Sequence, residues 1–248
     1  MIELKNITKS YSNKDKKYIG KYFLRNLFGS LKSLFSKNSH DADKLILKGI
    51  SFRINDGERV AIVGKNKAGK TTLLQLITGI SDPSSGSLLV KGKIIPIFAQ
   101  AHLLGPDPTG REYIFLHGAA LGIPIKQIQK RVEEIITFSE ITTIDTPVKF
   151  YSTGMRSRLA LSVALHLPAD IIVLDEVFSG SDVFFKDKVI NFMQQRFANE
   201  NITLVMISHN ENIIKALCNR ALLLEDGKIT KDGTPDDILH EYMKARKD

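Results

Sequence analysis

The stretch Gly64-Lys65-Asn66-Lys67-Ala68-Gly69-Lys70-Thr71 decides how this chain is read. An apolar run, Val60-Ala61-Ile62-Val63, leads into it, and Thr72-Leu73-Leu74-Gln75-Leu76-Ile77 leads out. That order predicts a strand, a glycine-bounded loop and a helix start, at the G-x-x-x-x-G-K-[ST] spacing of a phosphate-binding loop. Successive backbone N–H groups and the helix N-terminus then form a concave positive site for phosphate oxygens. Gly64 is expected to allow the tight turn, and Gly69 to let the backbone approach the oxygens. Lys70 supplies a mobile charge for the β- and γ-phosphates, and the Thr71 hydroxyl can ligate Mg²⁺. Lys65, Asn66, Lys67, Ala68 and Thr72 complete the nucleotide-binding stretch. Lys67 stands where many such loops carry glycine or a small residue. If the backbone needs positive φ there, lysine is strained.

Working outward, 248 residues suffice for one large α/β domain or two small ones, and an apolar content of 43% is ordinary for a globular protein. The single cysteine, Cys218, excludes an internal disulfide and suits a reducing compartment. Met1-Ile2-Glu3-Leu4-Lys5 opens into strand-like alternation without a secretory pattern. No apolar run approaches the roughly 20 residues that cross a bilayer, so the chain is not expected to span one itself. A net charge of +8 suits an anionic partner, whether nucleotide, nucleic acid or acidic membrane surface, and equally a generally basic soluble protein.

Ile2 to Thr8 alternates like an edge strand, and Tyr11 follows it. Between Ser12 and Lys44 the chain changes character. Ile19, Tyr22, Phe23, Leu27, Leu31, Leu34 and Phe35 recur at three- and four-residue spacing among Lys17, Lys21, Arg25, Lys32 and Lys37. This predicts an amphipathic basic helix over 17–36, weakened by Gly20 and Gly29 at about 1 kcal/mol each. Such a helix is expected at a membrane surface or against a membrane subunit, or else buried on its own domain. Strands are predicted at 45–54, in two pieces of 87–98, at 171–174 and at 202–207, with a D-G hairpin over 221–229. Residues 101–165 read as a helical block, with helices at 110–121, 125–139 and from Ser152 to about Leu167. Thr109 and Glu112 form a capping box at the first of these. Further helices are expected at 183–199, at 210–218 and from about Thr234.

The remaining chemistry lies at strand ends and at one helix start. Asp175 and Glu176 close the apolar strand Ile171-Ile172-Val173-Leu174, where ligand sites of open α/β sheets lie. An aspartate there can hold Mg²⁺ directly or through water, and the adjacent glutamate can polarise a water for in-line attack on a γ-phosphate. His209 closes the next apolar strand and can reach the γ-phosphate or the attacking water. Tyr151-Ser152-Thr153-Gly154-Met155 opens a helix, giving a second phosphate site. One domain with one nucleotide does not need two such sites; a dimer does, because the second can close over the partner's ATP.

Taken in order, the phosphate loop, Gln100, Ser152 to Met155, Ile171 to Glu176, Ser179-Gly180-Ser181-Asp182 and His209 resemble the ATP-binding-cassette ATPases over nearly the whole chain. The family's usual signature is L-S-G-G-Q. Tyr-Ser-Thr-Gly-Met, Pro108-Thr109-Gly110-Arg111-Glu112 and Glu176-Val177 are similar to the subfamily that exports bacterial surface polysaccharides. The insertion after Tyr11 is more similar to the O-antigen and teichoic-acid exporters than to the capsule exporters.

The resemblance implies a single α/β domain over 1–248. Its P-loop core has a mixed, largely parallel sheet with flanking helices, an N-terminal antiparallel β subdomain and a helical subdomain. It implies that Tyr11 stacks on adenine and that Lys70 and Thr71 hold phosphate and Mg²⁺. Gln100 is implied to sense Mg²⁺ or the attacking water, with Asp175 on the metal through water. Ser152 and Gly154, within the signature Ser152, Thr153, Gly154 and Met155, contact the partner's γ-phosphate. Glu176 is the general base, Asp182 crosses the dimer interface and His209 is the switch histidine. Lys67, Thr153 and the Ser179 to Asp182 loop depart from the family pattern; Thr153 leaves the helix N-terminus intact, so no loss of activity is expected from it.

The expected protein is an ATPase subunit, peripheral at the cytoplasmic face of the bacterial cytoplasmic membrane. It uses ATP and Mg²⁺, pairs head to tail with a second copy and drives a membrane permease. Helix 17–36 is expected near the membrane surface and a lipid-linked glycan of the O-antigen kind. Teichoic-acid or capsule export is the near alternative. A soluble cassette acting on nucleic acid or the ribosome is the distant one, and no nucleic-acid partner is expected. A chain ending at Asp248 is expected to lack the carbohydrate-binding domain that some exporters carry.

Overall fold

The computed structural model describes residues 1–11, 44–98, 107–176 and 182–244. The expectations for helix 17–36, for Gln100 and for residues 179–181 lie outside them. The described chain runs β1 (Ile2–Tyr11), β2 (Lys44–Ile54), β3 (Arg59–Val63), α1 (Lys70–Ile77), β4 (Ser85–Val90) and β5 (Ile94–Phe98). It continues through α2 (Gly110–Ala120), α3 (Ile125–Gln129), α4 (Val132–Ser139), α5 (Thr153–His166), β6 (Ile171–Asp175) and α6 (Val183–Asn199). It closes with β7 (Thr203–Ile207), α7 (Glu211–Leu217), β8 (Arg220–Glu225), β9 (Lys228–Gly233) and α8 (Pro235–Lys244).

Two sheets result. The smaller is antiparallel, in the order β2-β1-β4, and the larger runs β5-β6-β7-β3-β8-β9. All neighbours in the larger sheet are parallel except β8 and β9. The central strands are apolar throughout because both faces are covered. On one face Val60, Ile62, Ile171, Val173, Val205, Ile207, Leu222 and Leu224 meet α1 and the small sheet. On the other, Ala61, Val63, Ile172, Leu174, Leu204, Met206, Ala221 and Leu223 share a core with the helices, including Tyr113, Ile135, Leu159 and Phe185. The expected mixed sheet, antiparallel sheet and flanking helices are therefore present.

Two local expectations change and a third gains a detail. β1 is not an edge: it pairs with β2 on one side and β4 on the other. Its alternation records burial of Ile2, Leu4 and Ile7 beneath a solvated face, and Asn6 at φ 50° supplies the irregularity that shifts burial from even to odd positions. The single helix expected over 125–139 is broken at Lys130–Arg131 into α3 and α4. Buried Ile128, Val132 and Ile135 carry the helical period across the break, so periodicity alone does not reveal it. The two strands expected in 87–98 belong to different sheets. Between them, the Asp170 side chain accepts from the Lys93 N–H at 2.6 Å, while Lys93 O accepts from Asp170 and Ile171 N–H at 3.0 Å.

Candidate nucleotide site

The C-terminal ends of β3, β6 and β7 lie side by side, in parallel register: Ile62 pairs with Ile207, which pairs with Asp175. Each end delivers chemistry: the phosphate loop from β3, Asp175 and Glu176 from β6, and Ser208 and His209 from β7. This is the crevice expected of an open α/β sheet.

Gly64 is needed for a different reason from the one its sequence suggests. A Cβ there would lie 2.2 Å from the carbonyl oxygen of Leu224, so the end of β8 forces the glycine. Gly69 has φ +109° and packs on Leu47, whose Cδ2 would be 2.8 Å from a Cβ. Both backbone freedom and space therefore select glycine there. No side chain caps α1 at Gly69, which leaves its first N–H groups directed at the crevice without a side-chain acceptor. Lys67 does occupy the left-handed region, at φ 68°, and Lys65, Asn66 and Lys67 are all exposed.

Lys70 is buried, and its ammonium donates to Gly64 O at 2.7 Å and Lys65 O at 3.0 Å. Burial pushes its pKa below the ordinary lysine value, against the pull of Glu176 and Asp175. The Thr71 side chain hydrogen-bonds Asp175, whose carboxyl burial raises above the usual range. A hydroxyl and a carboxylate at the mouth of a phosphate site are hard oxygen donors of the kind Mg²⁺ takes. Residues Thr71 and Asp175 thus fit the ion, which would supply charge neutralisation at the phosphates.

Glu176 has φ 50°, a strained conformation for a side-chain-bearing residue. Its N–H donates to Ile207 O at 3.1 Å, and its carboxylate Oε1 lies 2.9 Å from His209 Nε2. The two side chains are equally accessible, 42% each, so the pair faces the crevice rather than the core. Behind it, Asn210 caps α7 by accepting from the Ile213 N–H at 3.2 Å. Tyr11 lies against α1: its hydroxyl donates to Gln75 Oε1 at 3.3 Å, and Lys9 sits 4.9 Å from its ring centroid.

The signature segment stands apart. Ser152 Oγ accepts from the Met155 N–H at 3.2 Å, capping α5 as expected. Ser152, Thr153 and Gly154 are exposed, while Met155 packs on the core. Tyr151 anchors the segment: it is buried, and its hydroxyl donates to Thr143 O at 2.8 Å. The same hydroxyl would lie 2.3 Å from a Cβ at Gly110, the first residue of α2. Thr109 and Glu112 complete the capping box at that helix. Among the described residues no hydrogen bond joins Ser152 to Met155 with the phosphate loop.

The structure thus brings together the phosphate loop, Asp175, Glu176 and His209, with Tyr11 beside them, and holds Ser152 to Met155 and Asp182 elsewhere. Sequence reasoning missed Gln75 and Arg158. Gln75 was legible only as an exposed-face position one turn into the phosphate-loop helix. Arg158 carries no local signal, because the acids it meets, Glu140 and Asp182, lie on other elements.

This fold and site define a phosphate-loop ATP-binding cassette. Residues 47–179 match the family model described as ABC transporter, and the chain belongs to that family. It is 37% identical over 211 residues to the O-antigen export system ATP-binding protein of Myxococcus xanthus, covering 84% of this chain and 48% of that protein. It is 35% identical to the teichoic acids export ATP-binding protein of Lactiplantibacillus plantarum, covering 100% of this chain and 65% of that one. The chain therefore spans about half the length of the first relative and just under two thirds of the second. In fold it matches a dimeric ATP-binding cassette in a post-hydrolysis state bound to ADP and Pi, with a TM-score of 0.74 at 21% identity, over 95% of this chain and 99% of that one.

Proposed function

We propose that this chain is the ATP-hydrolysing subunit of an exporter that moves a lipid-linked surface polysaccharide across the bacterial cytoplasmic membrane. The carrying observation is the Glu176–His209 contact at 2.9 Å, set at the sheet end beside Lys70, Thr71 and Asp175. A carboxylate held by an imidazole beside a phosphate site is placed to take a proton from an attacking water. In this reading Lys70 and the α1 N-terminus bind phosphate, Thr71 and Asp175 hold Mg²⁺, Tyr11 stacks on the base, and Gln100 reports the metal to the permease.

The exposed signature supports completion by a second copy. Gly154 has no structural need to be glycine within one subunit: a Cβ would meet only Ser152 Oγ, at 3.8 Å. A helix N-terminus left open and side-chain-free suits the close approach of phosphate from a partner's ATP. The head-to-tail pair then places Ser152 and Gly154 over the partner's nucleotide, with Asp182 across the interface.

Export of an O-antigen kind of glycan draws on the Myxococcus xanthus relative. The teichoic-acid reading draws on the span of the match, since that relative aligns with the full chain and the first with 84% of it. Helix 17–36 is assigned to the cytoplasmic membrane surface on its sequence pattern alone. Among the described residues no helix is long and apolar enough to cross a membrane; in this reading the membrane path belongs to a separate permease. Glu176→Gln should retain ATP binding and reduce turnover by roughly a hundredfold or more. Near-normal turnover in that variant contradicts the base assignment. Deleting residues 17–36 should abolish export while the cooperative thermal unfolding of the chain is retained; unaltered export rejects the membrane role of that helix.

A further inference from the structure

Outside the nucleotide site, one charged cluster joins three elements through a single arginine. Arg158 lies on α5, one and a half turns beyond the Ser152 cap. One arm of its guanidinium pairs with Asp182 Oδ2, and the other donates to Glu140 Oε2 at 3.3 Å. Its plane lies over the Phe185 ring, 5.0 Å from the centroid. The Asp182 carboxylate is fully used: its second oxygen caps α6 by accepting from the Phe185 N–H at 2.9 Å. The Glu140 carboxylate is also shared, taking Lys188 Nζ at 2.7 Å, and Lys188 donates to Phe138 O at 3.0 Å.

Two features argue against a casual surface network. Glu140, the residue ending α4, is in the left-handed region at φ 58°, a place that favours glycine or asparagine. Such strain persists where the surroundings hold it, and here two cations grip both carboxylate oxygens. Partly exposed ion pairs contribute little to global stability, so the return lies in geometry. A planar fork that reaches two acids on two different elements fixes orientation in a way a point charge cannot.

We propose that Arg158 is a positioning residue that locks Asp182, at the start of α6, to the signature helix beginning at Ser152. The two parts of one subunit assigned to the dimer interface in the two-copy reading are thereby carried as one body. The inference rests on the two-copy reading above. Arg158 touches no nucleotide in its own subunit; it acts through Asp182 and the α5 axis. Misplacing either part costs turnover without costing nucleotide affinity in the isolated chain.

The test uses the full chain with four variants: Arg158→Ala, Arg158→Lys, Asp182→Asn, and the Arg158→Ala/Asp182→Asn double. Asparagine keeps the cap on the Phe185 N–H and removes the charge. Expected results are a roughly tenfold fall in kcat for Arg158→Ala with ATP affinity of the isolated subunit within about twofold, and only partial rescue by lysine. The double variant should be no worse than the poorer single, the mark of coupled residues. ATP-driven dimerisation in a Glu176→Gln background should weaken in the same order. Additive single effects, full rescue by lysine, or unchanged kcat and dimerisation in Arg158→Ala overturn the proposal. If Arg158→Ala fails to fold, Arg158→Lys and Asp182→Asn carry the same comparison. A wild-type chain that binds ATP yet never dimerises overturns the two-copy reading and this proposal with it. A dimerising wild type with an unaffected Arg158→Ala overturns this proposal alone.

Discussion

Lysine at position 67 occupies a backbone conformation that L side chains avoid, φ 68°, in a loop whose other constrained residue is a true glycine, Gly69. A lysine held there costs about 1 kcal/mol relative to glycine. Lys67→Gly is therefore expected to raise unfolding stability by about that amount, read as a shift in urea midpoint at constant slope. A lower midpoint contradicts the strain assignment. Asp175 carries a different tension. Its carboxyl is raised because burial disfavours the charge, and Thr71 and Lys70 only partly compensate. With the folded pKa above the unfolded one, this group destabilises the fold increasingly as pH rises through the carboxylate range. Asp175→Asn should raise the thermal midpoint of the nucleotide-free chain at pH 8 and abolish the Mg²⁺ dependence of ATP binding. A lowered midpoint, or Mg²⁺ dependence retained, contradicts it.

At the scale of elements, the signature helix is fixed by a buried hook rather than by contact with the site. Tyr151 ties the segment before α5 to Thr143 O and to the first residue of α2. Tyr151→Phe should lose about 1 kcal/mol from the hydrogen bond alone. Gly110→Ala should lose more, about 1–3 kcal/mol, because its methyl group meets Tyr151 and Ile144 in a filled core. Chemical denaturation checks both, and equal losses would place the hook elsewhere. These contacts also mark what a sequence conveys. Thr109 with Glu112, Ser152, and the Asp226-Gly227 turn, at φ 46° and 79°, are local devices, readable because every partner lies within a few residues. The phosphate loop is local in the same sense. The Glu176–His209 pair was not readable as a contact, because parallel pairing of β6 with β7 creates it and no spacing rule encodes that register. The central place of β1 was hidden because alternation reports burial, which edge and central strands share. The break between α3 and α4 was hidden because the apolar period continues through it. Arg158 was visible as a residue but not as a link, since both its acids lie on other elements.

The molecule as a whole carries a buried titratable group unrelated to turnover. His117, on α2, is 6% exposed, its Nδ1 has no hydrogen-bond partner among the described residues, and burial lowers its pKa to about 4. A base whose folded pKa is depressed gives stability that is fully present above its unfolded value near 6.5 and lost as pH falls towards 4. This one site accounts for about 3 kcal/mol of acid sensitivity. The difference in unfolding free energy between pH 7 and pH 4 should shrink by that order in His117→Leu, and an unchanged difference contradicts the assignment. At neutral pH the same site is uncharged and leaves the fold undisturbed.

The proposed nucleotide-dependent step is the closure of two chains, each supplying a phosphate loop to one nucleotide and an exposed signature helix start to the other. Light scattering of Glu176→Gln with ATP and Mg²⁺ tests it most directly. The account predicts a doubling of mass on adding ATP, reversed when the nucleotide is removed and abolished by adding Gly154→Asp, whose charge would face the partner's phosphates. A chain that stays monomeric with ATP bound, or a dimer that forms equally well with aspartate at position 154, would contradict it.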